Sequence, residues 1–282
     1  MKKISLLIIL LLTLPLMSEA GGWPKKKGTG YFKLSQYAII SDRYFSPAGD
    51  ILDIATASVY QTSFYGEYGL TDRLTAIAYV PFFSRATLNE QVSSFNGDVL
   101  AEGDEVSSFG DTDLTIKYGL IVDKPIVVSA SLTLGLPLGN STGGRTGVLQ
   151  TGDGEFNQMV TLEASRGLRK GRAWASLLLA YNNRSDNFSD ELRYGVELGH
   201  KLGEKWIANV KLLGVNSLNN GSDFETPSNG IFGNNIEYIA TTYEVAYSWS
   251  EKYGVSAAIG TALDGRRVLA SPSFSVGVFM NL

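Results

Sequence analysis

The chain contains no cysteine and only one histidine, His200, among its 282 residues. Without cysteine it cannot build a disulfide framework, a thiolate metal site or a cysteine nucleophile. Charged residues make up 18% of the sequence and the net charge is −4 at pH 7, so no basic surface is available for nucleic acid. The low charged fraction also argues against a disordered chain. Lipid, protein and small-molecule partners remain.

Long hydrophobic runs are scarce, and the single clear one lies at the N-terminus. Lys2 and Lys3 precede an apolar run from Ile4 to Met17, and small residues follow at Ser18 and Ala20. This order is typical of a secretory signal peptide, and the run is shorter than the ~20 residues of a membrane-spanning helix. We predict that residues 1–20 are a cleaved signal peptide and that residues 21–282 form one domain.

The rest of the chain shows a hydrophobic period of two. Leu132, Leu134, Leu136 and Leu138 alternate with small or polar residues, and the same pattern runs through 192–202. Alternation of this kind predicts strands with one apolar and one polar face. No segment carries a sustained apolar stripe with helical spacing, so we expect little helix.

The alternating segments number twelve, and their connections are of two kinds. The predicted strands are 29–42, 56–70, 74–85, 111–120, 126–138, 156–167, 173–183, 190–202, 206–217, 236–249, 254–263 and 271–281. Every second connection is short, whereas others, such as 86–110, 139–155 and 218–235, are long and polar. Short turns at one end and long loops at the other predict an all-β, antiparallel, up-and-down transmembrane β-barrel of about 12 strands. A secreted soluble β-sandwich is the alternative.

Such a barrel belongs in the outer membrane of a Gram-negative bacterium, with its turns and both termini on the periplasmic side. Aromatic residues at the strand ends support this placement because they favour the membrane–water interface. Those expected beside the turns are Tyr68, Tyr118, Trp206, Tyr247 and Trp249. Phe82 and Tyr181 are expected near the loops, as is Tyr238, whose facing the alternation leaves open.

Charged residues interrupt the strands on the face opposite the apolar one. A lysine on the lipid face would cost about 2–4 kcal/mol at the midplane, so we place these side chains in the lumen. The predicted lumen-lining charges are Lys33, Glu67, Lys117, Glu163, Glu197, Lys201, Lys211 and Glu244. They are either an internal ion-pair network that fills a narrow barrel or a polar constriction that selects solutes.

Two further polar segments have less definite roles. Acidic residues crowd 86–113, but their spacing lacks an EF-hand pattern, so a solvated loop is expected and calcium binding stays open. The segment from Trp23 to Lys27 either lies against the barrel mouth or extends into the periplasm. No metal site and no cofactor are predicted.

Enzymatic activity is not expected. Residues Gly139 to Gly143 match the G-x-S-x-G pattern around Ser141, but the following residues are a poor helix start for a nucleophile elbow. Ser141 is predicted in an external loop, whereas His200 alternates with Leu198 and Leu202 on the lipid-facing side beside a periplasmic turn. About 25–30 Å of hydrocarbon would separate the two side chains.

Three short motifs occur in order along the chain. They are Gly110-Asp111-Thr112-Asp113-Leu114, then Leu136-Pro137-Leu138-Gly139, then Gly152-Asp153-Gly154-Glu155. This series resembles the MetA-pathway phenol-degradation family of outer-membrane β-barrel transporters. The chain departs from the family motif at Leu138, where threonine is expected, and it ends in Leu282 where many barrels end in phenylalanine. The resemblance implies uptake of aromatic or hydrophobic compounds.

We therefore predict an outer-membrane channel for passive uptake of small, hydrophobic or aromatic solutes. Its expected partners are outer-membrane lipid and a small-molecule solute, and its oligomeric state is open. The alternative is a closed structural or adhesion-type barrel whose extracellular loops bind a ligand or partner. Fold alone does not decide between these functions.

Overall fold

A computed structural model describes residues 21–222 and 230–282. The predicted signal peptide, 1–20, lies outside the described residues. Twelve long strands follow one another in the chain. They are β1 (Gly30–Phe45), β2 (Ile51–Gly69), β3 (Leu74–Leu88), β4 (Thr112–Ile121), β5 (Ile126–Leu136), β6 (Asn157–Leu168), β7 (Ala173–Arg184), β8 (Glu191–Leu202), β9 (Trp206–Ser217), β10 (Glu237–Ser248), β11 (Tyr253–Arg266) and β12 (Ser273–Asn281).

These strands form a closed antiparallel barrel. Each pairs with its neighbours in sequence, and β1 pairs with both β2 and β12. The first and last strands close the barrel at one rim, where Leu282 N–H donates to the oxygen of Gly30 at 2.8 Å. Closure removes every unpaired long edge, as a sheet in lipid requires. The predicted twelve-stranded barrel is confirmed, and the β-sandwich alternative is wrong.

Short turns and longer loops lie at opposite rims. Loops L1 to L6 are 46–50, 89–111, 137–156, 185–190, the described residues 218–222 and 230–236, and 267–272. The helical content of the described chain is a 3₁₀ turn at Arg169–Gly171 in one of the short turns. Within residues 21–222 and 230–282, no helix has the length and apolar character needed to cross a bilayer.

The two faces of the wall differ as the alternation predicts. On β12, Phe274, Val276 and Val278 are exposed on the outside. On β5, the residues that alternate with exposed ones are Ser129, Ser131 and Thr133, and they are buried on the inside. The polar face therefore lines the lumen. An exposed apolar exterior around a polar interior is the pattern of a barrel embedded in lipid.

Aromatic side chains cluster at the turn-side rim. Trp206 packs against Tyr247 with ring centroids 4.7 Å apart, and Trp249 stacks on Tyr253 at 6.4 Å. Tyr238, which the sequence left open, faces the lumen. It lies an even number of residues from Glu244 and so shares its face of β10, because the bulge at this level places its extra residue, Leu263, on β11.

The loop rim is more ordered than the sequence indicates. Strand β3 continues to Leu88 and pairs with Asp104–Ser108, although 86–110 was expected to be irregular loop. Arg85 and Glu105 lie diagonally across this extension and form an ion pair. A sequence rich in charge therefore continues the sheet because opposite charges meet across the strands.

Candidate functional site

The predicted lumen charges form ion pairs in the turn-side half of the barrel. Lys33 on β1 bonds Glu244 on β10 at 2.8 Å, although two other strands, β11 and β12, lie between them in the wall. Lys117 on β4 bonds Glu163 on β6 at 2.7 Å. Lys211 lies between two carboxylates, 3.4 Å from Glu197 and 3.9 Å from Glu244. Opposite charges thus face each other inside the barrel.

The other two predicted charges, Glu67 and Lys201, also lie on the lumen-facing side of their strands. Glu67 is buried, accepts a hydrogen bond from the hydroxyl of Tyr65 and pairs with Lys25 at 3.5 Å. Lys201 is half-buried on β8 beside the turn at 203–205. All eight side chains therefore lie opposite the lipid-exposed residues, and Glu67 is joined to a residue outside the predicted set.

The N-terminal segment, 21–29, lies across this end of the lumen. Its backbone is fixed by hydroxyl groups of the wall: Gly22 N–H donates to Ser165 at 2.7 Å, and Lys25 N–H donates to Thr75 at 2.8 Å. The ammonium of Lys117 donates to the oxygen of Gly21 at 2.7 Å. The sequence left the position of this segment open, and the structure places it inside the mouth.

Small polar side chains line the middle of the lumen. Ser35 and Ser63 meet across β1 and β2 with their hydroxyl oxygens 3.1 Å apart. Thr115 and Thr133 meet across β4 and β5 at 2.7 Å. Larger side chains share this stretch: Tyr79 is hydrogen-bonded to Ser63, and Tyr37 is hydrogen-bonded to Ser273.

An apolar cluster closes the loop-side end. Its buried members are Ile39, Ala57, Val59, Ala86, Leu149 and Leu269. Four belong to the inner face of β1, β2 and β3, whereas Leu149 comes from L3 and Leu269 from L6. This cluster was not predicted, since alternation cannot show which loop residues fold back into a barrel.

Loop L3 is pinned at both ends by one carboxylate. Asp111 accepts hydrogen bonds from Gly139 N–H at 2.9 Å and from Asp153 N–H at 2.7 Å. A Cβ on Gly152 would lie only 2.1 Å from an oxygen of Asp111, so this position requires glycine. The three sequence motifs therefore meet at a single clamp. Their spacing suggested a family, but this contact was not foreseen.

A second carboxylate holds the tip of L3. Asp104 accepts bonds from Thr146 Oγ1 at 2.6 Å and from the N–H groups of Thr146 and Arg145, both at 2.8 Å. These donors, the Thr146 hydroxyl first, lower the pKa of Asp104 below its usual value. Across the described chain, no group of three or more His, Cys, Asp or Glu is arranged to hold a metal ion.

A buried arginine joins three carboxylates beneath the loops. Arg184 contacts Asp153 at 2.8 Å, Glu155 at 2.7 Å and Glu191 at 2.9 Å, and its side chain is 3% exposed. Burial raises the pKa of Asp153 to about 7; the Arg184 guanidinium opposes this shift and the nearby Asp111 carboxylate adds to it. Sequence analysis missed this network. The one signal for it in the sequence is an arginine, Arg184, at an inward-facing position at the end of β7.

The residues considered for catalysis lie at opposite ends. Ser141 belongs to L3 on the loop rim, and His200 precedes the turn at 203–205 on the other rim. His200 pairs with Ala173 and Ala208 on the outward face, between the exposed Leu198 and Leu202. These positions leave the two side chains without a common site. That the chain is not an enzyme stays a prediction.

Comparison with solved structures agrees with this architecture. The chain is similar to the COG4313 outer membrane channel from Pseudomonas putida F1, at 14% identity and a TM-score of 0.61, over 94% of this chain and 100% of that one. It is also similar to the translocator domain of autotransporter NalP from Neisseria meningitidis, at 12% identity and a TM-score of 0.51, over 92% and 90%. No known protein family matches the sequence, and no curated protein does.

At these identities the likeness shows the fold. One neighbour is named as a channel and the other as a translocator domain, so the fold does not decide the function. The MetA-pathway resemblance is not confirmed by the comparisons. The protein is a twelve-stranded β-barrel of the Gram-negative outer-membrane type.

Proposed function

We propose that the protein is an outer-membrane channel for passive diffusion of small solutes, and that its charge pairs set selectivity. The observation that supports this function best is how the lumen is closed. Its middle is lined by polar side chains that include Thr115, Thr133 and Tyr79, whereas segment 21–29 and residues of L3 and L6 close the ends. Movement of these segments would leave a continuous polar path.

The apolar cluster determines which class of solute this proposal favours. A solute passing Val59 and Leu149 leaves water for an apolar contact, which favours hydrophobic molecules over ions. The ion pairs beyond it, such as Lys33 with Glu244, offer both signs of charge at short range. Uptake of small hydrophobic or aromatic solutes fits this order, and the motif resemblance implies the same class.

The alternative function is a closed barrel whose loops bind a partner. One observation favours it: Asp104 and Asp111 fix L3 through backbone hydrogen bonds, which gives the loop rim a defined surface. Fixed loops suit recognition because little conformational freedom is lost on binding.

Single-channel conductance in a planar bilayer separates the two functions. We would compare the refolded protein with a variant that lacks residues 21–27, and with Lys26→Gln as a control because Lys26 is exposed. A channel gives salt-dependent openings, and the deletion raises the conductance. A heat-modifiable, folded barrel that conducts in neither form would contradict the channel.

A further inference from the structure

We propose that the loop-side half of the lumen contains a binding site for small organic amines that carry an apolar body. In this amine site Asp113 is the counter-ion of the ammonium group, and Tyr37, Tyr79 and Tyr238 form the aromatic wall. The inference rests on the proposed channel function, because it names a solute class for the same lumen.

Asp113 is a lumen carboxylate without a counter-ion in contact. It lies on β4 two residues before Thr115 and four before Lys117, so it shares their lumen face. Its side chain is half-buried and makes no ion pair or hydrogen bond within residues 21–222 and 230–282. By contrast, Glu163 on the same face of the wall bonds Lys117 at 2.7 Å. A partly desolvated charge is costly until an opposite charge meets it, so this position fits an external cation.

The arginine that is electrostatically coupled to Asp113 is engaged elsewhere. Arg193 lies on β8, four strands farther round the wall. Its Nε and Nη2 groups both donate to Glu191, at 2.9 and 2.6 Å. Arg193 therefore neutralises Glu191 by direct contact and acts on Asp113 only from a distance, which leaves the Asp113 carboxylate accessible to a solute.

Asn182 on β7 supplies a second acceptor that lacks a donor. Its side chain is 1% exposed, and its Nδ2 donates to Glu191, its register partner on the lumen face, at 3.3 Å. The carbonyl oxygen of the same side chain finds no hydrogen-bond partner among the described residues. An unsatisfied buried acceptor costs free energy, and an ammonium group brings three N–H donors. Two acceptors without donors therefore favour a solute that donates.

The neighbouring charged network adds to the preference for a cation. Its carboxylates are Asp111, Asp153, Glu155 and Glu191, and its guanidinium groups are those of Arg184 and Arg193. The acidic excess remains when Asp153 is protonated, since three carboxylates then face two guanidinium groups. Walls with an excess of one sign concentrate ions of the opposite sign and repel the others. Anionic solutes are therefore disfavoured at this level.

Three tyrosines converge near Asp113. Tyr79 on β3 pairs in register with Asp113, and its hydroxyl is hydrogen-bonded to Ser63. Tyr37 on β1 interacts electrostatically with both Tyr79 and Tyr238, which brings residues of three separate strands together. The faces of tyrosine rings attract cations. An ammonium group beside Asp113 would therefore have aromatic neighbours as well as a carboxylate.

The apolar cluster adjoins these polar groups. Tyr37 packs against the cluster that contains Ile39, Val59 and Leu149, so one tyrosine borders both regions. A solute with its ammonium at Asp113 can place an apolar body against the cluster and remove it from water. Bare metal ions fit less well, because no three His, Cys, Asp or Glu side chains of the described chain are arranged to hold one. This order selects amines with an apolar body.

Isothermal titration calorimetry of the refolded barrel in detergent tests the amine site without requiring transport. The probes are 2-phenylethylamine, 2-phenylethanol and phenylacetate, which share an aromatic body and differ in charge. We expect the amine to bind about tenfold more tightly than either of the other two, since a bond to a charged group adds that much. Equal affinities, or tighter binding of phenylacetate, would overturn the site. This comparison uses the unmodified protein and so does not depend on the folding of a variant.

Asp113→Asn removes the charge of the counter-ion with little change in shape. We expect it to weaken amine binding about tenfold and to leave the affinity for 2-phenylethanol unchanged. The matched control is Asp98→Asn, because Asp98 lies in L2 and bonds Asn96 within its own loop. It should bind the amine as the unmodified protein does. Heat-modifiability confirms that each variant is folded, and an unchanged amine affinity in folded Asp113→Asn would contradict the proposed counter-ion.

Arabinose passage in a liposome-swelling assay tests the channel separately. If the amine site lies on the path, 2-phenylethylamine should slow arabinose passage through the unmodified protein and slow it less through Asp113→Asn. Arabinose passage without amine binding would overturn the site alone. Amine binding without arabinose passage would contradict the channel and retain the site.

Discussion

Asp111 accepts a 2.7 Å hydrogen bond from the backbone N–H of Asp153, and its other oxygen binds Gly139 at 2.9 Å. One side chain therefore holds both ends of L3. Asp111→Asn removes the charge from two charge-assisted bonds, which are worth about 1.5–3 kcal/mol each when formed. We expect a lower unfolding temperature, measured by heat-modifiability on gels.

The control for this clamp is Asp98→Asn in L2. The Asp98 carboxylate bonds Asn96 within its own loop and does not reach L3. It should leave the unfolding temperature nearly unchanged. If Asp111→Asn unfolds no earlier than Asp98→Asn, the clamp adds nothing to stability.

Asp104 predicts how the tip of L3 is protected. Its carboxylate holds the N–H groups of Arg145 and Thr146, so Asp104→Asn should speed tryptic cleavage after Arg145. Glu102→Gln is the matched control, because Glu102 forms an exposed ion pair with Arg145 at 3.3 Å, and such pairs add little stability. Equal cleavage rates would show that the clamp does not restrain the loop.

The same carboxylate predicts a pH dependence with a defined sign. Because hydrogen bonds lower the folded-state pKa of Asp104, its contribution is present above the unfolded pKa of about 3.9 and is lost as the pH falls through the lower folded value. Protection of the Thr146 amide against hydrogen exchange, corrected for the intrinsic rate, should hold to below pH 4. Loss of protection already near pH 6 would contradict this sign.

Asp153 predicts the opposite trend. Burial raises its folded-state pKa to about 7, so the folded barrel binds this proton more tightly than the unfolded chain does. Its contribution to stability is complete below about pH 4 and is lost as the pH rises toward 7. The unfolding temperature of Asp153→Asn should therefore fall less between pH 4 and pH 8 than that of the unmodified protein.

Asp123→Asn is the comparison for this titration, since Asp123 lies in an exposed turn and pairs with Arg73 at 3.5 Å. It should keep the pH profile of the unmodified protein. If Asp153→Asn shows the same pH profile as Asp123→Asn and the unmodified protein, a group other than Asp153 titrates near neutral pH.

The strand count, the facing of most residues and the barrel itself follow from period-two alternation, because lipid outside and polar lumen inside impose it on every wall strand. Alternation fails where the backbone departs from it. The bulge at Pro81 exposes Phe82 and Phe83 in succession. A proline within a strand is the signal that could have located this bulge.

The candidate site was harder to predict from the sequence than the fold was. The charges were placed on the lumen face because lipid excludes them, but their partners depend on curvature: Lys33 meets Glu244 across the barrel, far from it in sequence. Contacts between loops, such as Asp104 with Thr146, depend on how each loop folds over its neighbour. The residue pattern does not show how close Lys33 comes to Glu244, or Asp104 to Thr146, in the folded barrel.

The pair Lys33 and Glu244 tests whether the lumen charges face an open path. Glu244 also lies 3.9 Å from Lys211, so Glu244→Gln leaves two ammonium groups without this shared carboxylate. In an open channel the reversal potential under a salt gradient should shift toward anion preference, since fixed charge selects the passing ion. Glu251→Gln, in an exposed turn, is the control and should shift it little. Glu67→Gln and Glu163→Gln should act in the same direction. Unchanged selectivity with a lower unfolding temperature would instead assign these residues to the stability of the barrel.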